Sequence, residues 1–254
     1  MTSLRVWTAN IQSGRSASGE PTTEPELAAA FDGIEADVVA LQEVDRFQPR
    51  SGEMDQVRII AGALGLEHDR FAAALAGDVK GPRDLADPIG NHPGPAYGVG
   101  LVSRYPVIAW FATRLPQVVR RLPMWHGGRP RWWVHEPRVA LAAVLDGSDG
   151  PFATATTHLS LLPPVARRQL RTLLRQVDRL SERVIVAGDF NIADSAVAQV
   201  APGWDLPRAL TFHADYPVRQ IDHVLVRGGT ADDPQAHRLA ISDHRALSVE
   251  VAWK

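Results

Sequence analysis

The sequence predicts an α/β protein built on mixed β-sheet and folded as a single domain over residues 1–254. Short apolar runs of strand length recur along the whole chain. A few segments instead carry the stripe of an amphipathic helix. The two kinds follow one another without strict alternation, which points to mixed rather than regularly wound sheet.

Leu4 to Ala9 is an apolar-rich strand ending at Asn10. Residues 25–36 carry Leu27, Phe31 and Ile34 at near-helical spacing, with Pro25 suited to a helix start. Val38 to Leu41 is an unbroken apolar run, as in a buried strand. Met54 to Leu64 places Val57, Ile60 and Leu64 on one helical face, and Gly65 suits the C-cap. Phe71 to Leu75 reads as a strand. Residues 77–96, rich in Gly, Pro and Asp, read as a loop rather than a domain linker, because strand sequence resumes at once in Tyr97 to Val102. Residues 113–137 read as a second irregular stretch. Val139 to Leu145 and Phe152 to Thr157 are strands joined by a turn over residues 146–150. Pro163 and Pro164 open a helix with Val165, Leu170, Leu173, Leu174, Val177 and Leu180 on its stripe and arginines elsewhere. Val184 to Ala187, Val224 to Val226 and Leu247 to Val251 close the series as strands.

Composition removes several function classes. The chain has no cysteine, so disulfides, thiolate metal sites and a cysteine nucleophile are excluded. A formal net charge of −2 is not that of a bulk polycation that coats nucleic acid or anionic membrane. No P-loop, dinucleotide glycine pattern or Gly-x-Ser-x-Gly elbow occurs. No apolar stretch is long enough for a secretory h-region or a bilayer span. With the initial Met, this leads to the expectation of a soluble, cytoplasmic protein, and of a monomer.

Polar residues follow the strand-like runs at several separated points: Asn10, Gln42-Glu43, His158, Gly188-Asp189-Phe190-Asn191, Asp222-His223 and Ser242-Asp243-His244. Strand ends are where rigid scaffold meets solvent. Asp, Glu and Asn are hard oxygen ligands and His supplies acid–base chemistry, a set that suits Mg²⁺ or Mn²⁺ better than zinc. If the chain stays extended, Asp189 and Asn191 share a face and Phe190 points into the core. The rival is a plain turn, since Gly, Asp and Asn are common turn formers. Asp222 lies between apolar neighbours and needs a partner, either an imidazole or a backbone cap. His158 taken singly is more often a satisfied structural residue than a catalyst, and Glu43 has the same ambiguity. His92, His126, His135, His213 and His237 lack metal-ligand spacing and read as surface or packing residues.

In order, these segments resemble the endonuclease/exonuclease/phosphatase superfamily, the DNase I-like proteins. The resemblance rests on Thr-Ala-Asn-Ile at Asn10, Leu-Gln-Glu-Val-Asp at Glu43 and the block Tyr97 to Pro106. It continues in Thr-His-Leu at 157–159, Gly-Asp-Phe-Asn at 188–191, Ile-Asp-His at 221–223 and Ser-Asp-His at 242–244. It implies a four-layer α-β-β-α sandwich, two mixed sheets packed face to face. It also implies phosphoester hydrolysis with Mg²⁺ or Mn²⁺. By the same resemblance Glu43 binds the metal with Asn10 and Asp243 nearby, and Asp189 orients or deprotonates water. Asn191 holds a phosphate oxygen or stabilises the transition state, Asp222 positions His244 on the phosphate, and His158 is a second imidazole beside it. The expected activity is a phosphodiesterase with nuclease-type chemistry, acting on nucleic acid, a lipid headgroup or a small phosphodiester. The rivals are a phosphomonoesterase on a lipid or sugar phosphate, and a catalytically silent binding module. Residues 110–138 concentrate Arg and Trp, and Arg129 and Arg131 are the residues expected to hold the non-reacting part of the substrate; the rival is a folded-back loop whose Trp side chains plug the core and whose Arg side chains are simply solvated.

Overall fold

A computed structural model describes residues 3–254, apart from 17, 82, 89, 91, 118–120, 127, 128 and 135, with backbone alone at 83, 121–126 and 129–134. A seven-stranded sheet contains β1 (Leu4–Asn10), β2 (Val38–Arg46), β3 (His68–Gly77), β4 (Arg83–Leu85), β5 (Ala96–Ser103), β13 (Gly229–His237) and β14 (Ala246–Trp253). Its order is β13-β14-β1-β2-β5-β3-β4, with β1 parallel to β2 and antiparallel to β14. A five-stranded sheet contains β6 (Val107–Arg114), β9 (Val139–Gly147), β10 (Gly150–His158), β11 (Val184–Asp189) and β12 (Asp222–Arg227). Its order is β12-β11-β10-β9-β6, and β10 runs parallel to β11. Both sheets are therefore mixed, as the apolar runs without alternation predict.

Three buried clusters stack these layers. Between the sheets, Leu4, Val6, Val38 and Leu101 meet Leu141, Leu145, Ile185 and Val224. The outer face of the larger sheet is covered by α1 (Glu24–Ala29) and α2 (Gln56–Leu64), which set Leu27, Val57 and Ile60 against Trp7, Val39 and Leu41. The outer face of the smaller sheet is covered by α3 (Pro163–Val177) and α4 (Asp194–Val200), with Leu170, Leu173 and Val197 on Val184, Val186 and Leu225. Strands in such a sandwich are apolar on both faces, which is why they read as continuous runs.

Local signals hold where they carry a mechanism. In α2, Asp55 caps the Arg58 N–H and Gly65 ends the helix at φ +63°. The α3 stripe is buried, and Pro163 and Pro164 occupy its first turn. The helix expected over residues 25–36 closes at Ala29. Beyond it Phe31, Asp32 and Ile34 continue in i→i+3 turns, so Phe31 still reaches the core.

Other expectations are corrected. The loop over residues 77–96 contains β4, paired with β3. The irregular stretch from 113 begins inside β6. It then forms a two-stranded ribbon, β7 (Arg121–His126) against β8 (Arg129–Val134). Pro123 and Pro130 disguise the ribbon in the sequence. A two-stranded ribbon has two free edges, so a missing N–H is tolerated there. The edge strand β13, polar and interrupted by Pro234, escapes for a similar reason: its pairing shifts register between Asp232 and Gln235, where Asp233 sits at φ +48°. No helix among the described residues is long and apolar enough to cross a membrane.

Candidate active site

The ends of neighbouring strands in both sheets deliver the polar residues to one cavity of about 680 Å³. Within the larger sheet, β1 ends on Asn10, and β2 carries a bulge against β5 between Leu41 and Val44. Glu43 occupies that bulge at φ +52°, a conformation that turns its carboxylate toward the cavity while Gln42 stays buried. The Asn10 amide donates to Glu43 Oε1 and to Asp189 Oδ2, each at 3.1 Å, and so ties the two sheets' carboxylates together. Its own Oδ1 accepts the Gln12 N–H at 3.0 Å.

In the smaller sheet, β11 pairs His158 with Asp189 on one side and Asp222 with Asp189 on the other. Gly188 is required for this approach, because a Cβ there would lie 2.0 Å from the Thr157 carbonyl oxygen. Asp189 ends the strand with its Oδ1 accepting the Asn191 N–H at 2.9 Å. Asn191 sits at φ +53°, past the end of β11, and its amide donates to the Leu159 carbonyl at 3.1 Å. Phe190 is fully buried, as expected. Asp189 and Asn191 do converge on the cavity, but through a turn rather than an extended chain; the turn and the site are one structure.

His244 Nδ1 meets Asp222 Oδ2 at 2.9 Å, and its Nε2 lies 3.9 Å from Asp189 Oδ2. Asp222 is fully buried, and its Oδ1 has no hydrogen-bond partner among the described residues. His158 Nε2 approaches the same Asp189 oxygen at 3.4 Å. Asp243 lines the cavity beside His244. Eight of the residues singled out in the sequence are thus gathered around one centre. The side chains of Arg129 and Arg131 lie outside the described residues; their backbones belong to β8. His237 stacks on Trp7 at 4.2 Å and bonds Ser248, a packing role, and His213 is exposed.

The electrostatics separate these groups. Burial, and next the charge of Asp222, push Asp189 up to about 7. Burial likewise raises Glu43, against the opposing Asn10 bond. Burial acts to lower His244, but the charge and hydrogen bond of Asp222, helped by Asp189 and Asp243, overcome it and carry the imidazole to about 10. His158 is held well below its ordinary value by burial and by the nearby charges of Arg138 and His244. At neutral pH one imidazole is therefore a cation and the other is neutral. By linkage, the His244 contribution to stability is fully present below about 6.5, its unfolded value. It is lost as pH rises toward about 10. In Asp222→Asn the His244 pKa is expected to drop by about 1–3 units, the size of one lost opposite charge. Nitrogen NMR of the cation-free protein would read this directly, and an unmoved titration would remove Asp222 from that role.

Sequence reasoning gave no role of their own to two buried residues of this cavity. Tyr97, on β5, lines it, and burial followed by the charges of Glu43 and Glu136 holds its hydroxyl well above the ordinary value. Arg138, beside the first residue of β9, lines it as well. A polar group flush against an apolar strand is the signal both left in the sequence. Phe212 adds a ring 4.9 Å from that of His244.

On a sandwich of two mixed sheets, one buried carboxylate is thus locked to a charged imidazole beside two others that burial raises. The chain belongs to the endonuclease/exonuclease/phosphatase family, whose family model matches residues 7–244 and whose members hydrolyse phosphoester bonds. It is 27% identical over 266 residues to the uncharacterized protein YbhP of Escherichia coli K12, covering 98% of this chain and 96% of that one. Among solved structures it is similar to an endonuclease/exonuclease/phosphatase from Beutenbergia cavernae. That match has 24% identity and a TM-score of 0.73, over 100% of this chain and 72% of that one. It is also similar to TDP2 of D. rerio complexed with a single-strand DNA product, with 16% identity and a TM-score of 0.67, over 99% of this chain and 100% of that one.

Proposed function

We propose that this chain is a phosphodiesterase that uses a divalent cation, Mg²⁺ or Mn²⁺, to direct water onto a phosphodiester. The observation that carries the reading is Asp189, a buried carboxylate at about 7, within 3.4 Å of one imidazole and 3.9 Å of a second, charged one. A base near operating pH is the best compromise between being ionised and holding the proton. Asp189 takes the proton of the attacking water. His244, fixed by Asp222, sets a positive charge against the phosphoryl oxygens, and the Asn191 amide holds another of them. Neutral His158 donates or accepts a hydrogen bond beside them without repelling a cation.

The donor set fits such a cation. The Glu43 carboxylate, bonded by the Asn10 amide, and Asp243 face the same cavity, so hard oxygen ligands gather there, with Arg138 and His244 close enough for their charges to act on Glu43. Asp189, Asp222 and His244 also offer ligand atoms within 4.8 Å of one another. That trio is the poorer holder, because His244 already engages Asp222 through Nδ1 and is protonated at neutral pH. Glu43 and Asp243, with Asn10 orienting Glu43, are assigned the cation. When bound, it neutralises developing charge on the phosphoryl oxygens and acidifies water.

Hydrolysis of bis-(p-nitrophenyl) phosphate and of p-nitrophenyl phosphate, with and without Mn²⁺, tests the reading. Preference for the diester with Mn²⁺ is the expected result. Preference for the monoester would make the protein a phosphomonoesterase, and inertness toward both would leave the silent binding module.

A further inference from the structure

Arg138 directly precedes Val139, the first residue of β9, whose carbonyl accepts the Thr157 hydroxyl at 2.9 Å. Through the order β12-β11-β10-β9, this places Asp222, Asp189 and His158 in one cross-strand row and Arg138 just beyond it, at the same end of four adjacent strands. Asp222, which anchors His244, stands at one end of the row and Arg138 beyond the other.

The Arg138 side chain is only 6% exposed and lines the cavity with Glu43, Asp189 and His158. A guanidinium keeps its charge at any ordinary pH, so this is a permanent buried cation. Such a group is normally matched by a close carboxylate. Here the match is loose. Nη2 lies 3.7 Å from Glu136 Oε2, well beyond the roughly 2.7–2.9 Å of a charge-assisted bond. Nε, shielded from solvent, has no acceptor among the described residues. Arg50 on the same cavity is the contrast: its Nε and Nη2 reach the two Asp45 oxygens at 2.8 and 2.7 Å, a saturated fork.

We infer that Arg138 binds the substrate's phosphate, taking non-bridging oxygen on the side of the cavity opposite His244. The inference rests on the phosphoesterase reading above and adds to it a second cation, so that the phosphoryl group is held between two positive groups. A planar fork suits two oxygens of a phosphate, and an incompletely paired one has donors to give.

Calorimetric titration of inorganic phosphate in Mg²⁺ buffer, beside steady-state kinetics on bis-(p-nitrophenyl) phosphate, tests this. Arg138→Met is expected to weaken phosphate binding and raise KM about tenfold or more, with kcat changed less. Arg138→Lys, which keeps the charge but not the fork, should recover part of both. Phosphate binding and KM within twofold of wild type in a folded Arg138→Met would overturn the inference. So would a fall in kcat alone with phosphate binding unchanged, which would mark a structural role. Should Arg138→Met not fold, Arg138→Lys is judged by the same two readouts, with several-fold losses expected. A wild-type protein inert toward both nitrophenyl esters would sink the phosphoesterase reading, and the phosphate titration would still decide Arg138.

Discussion

Asp189→Asn is expected to lower turnover by about 10²–10⁴-fold, the contribution of a general base, without lowering the melting temperature. The substitution keeps the shape and the Oδ1 acceptor that binds the Asn191 N–H, at the loss of the Oδ2 acceptor of the Asn10 amide, and it cannot take a proton. Stability follows from linkage. The carboxyl sits at about 7 in the fold against 3.8 as its ordinary value, so the folded state binds more protons between those limits. Stability from this group is then greatest at low pH and declines as pH rises through that window. In cation-free buffer at pH 8 the variant should melt at or above the wild type. Near-normal turnover in a folded Asp189→Asn protein would remove the assigned base, and a collapsed melting curve would recast Asp189 as structural.

Removing the divalent cation should abolish activity altogether, and Mg²⁺ or Mn²⁺ should restore it. Glu43→Gln should raise the cation concentration needed for half-maximal rate by an order of magnitude or more, since one anionic oxygen ligand is replaced by a neutral one. The Asn10 amide can still donate to the Gln oxygen, which keeps the packing. Undiminished hydrolysis in excess EDTA would defeat the proposal. An unchanged cation requirement in Glu43→Gln would move the ligand assignment elsewhere, with the Asp189, Asp222 and His244 trio the next to test.

The sheet sandwich was readable because a strand buried on both faces writes an apolar run that needs no partner to be seen. The gathered polar residues were readable for a related reason: Asn10, His158 and Asp189 each stand where such a run stops, and Asp222 where one begins. What escaped depends on neighbours far away in sequence. The turn of Glu43 into the cavity comes from the slip of β2 against β5 between Leu41 and Val44, which only pairing creates. The depth of Arg138 is set by strands on either side of it, and in the sequence it is one arginine among several between residues 110 and 138. The β7–β8 ribbon and β13 carry proline and charge because their edges are free, which erases the alternation that would reveal them. Asn191 had two readings from sequence, turn or site, and the structure makes them the same.

The Gln42 side chain lies buried immediately behind Glu43. It accepts the Thr8 hydroxyl at 3.2 Å and donates to the Thr156 hydroxyl of the opposite sheet at 3.0 Å. Apolar faces alone can slide past one another with little change in buried area, but this crosslink is satisfied at a single offset. Slippage would strand an amide in the interior, at about 1–3 kcal/mol for each group left unpaired. Glu43 rides on one side of that junction and Asp189 on the other, so the separation between the cation holder and the base is a quantised property of sheet registry. Gln42→Leu would be expected to leave a well-folded sandwich in which the two halves of the centre no longer agree on where the phosphorus should sit.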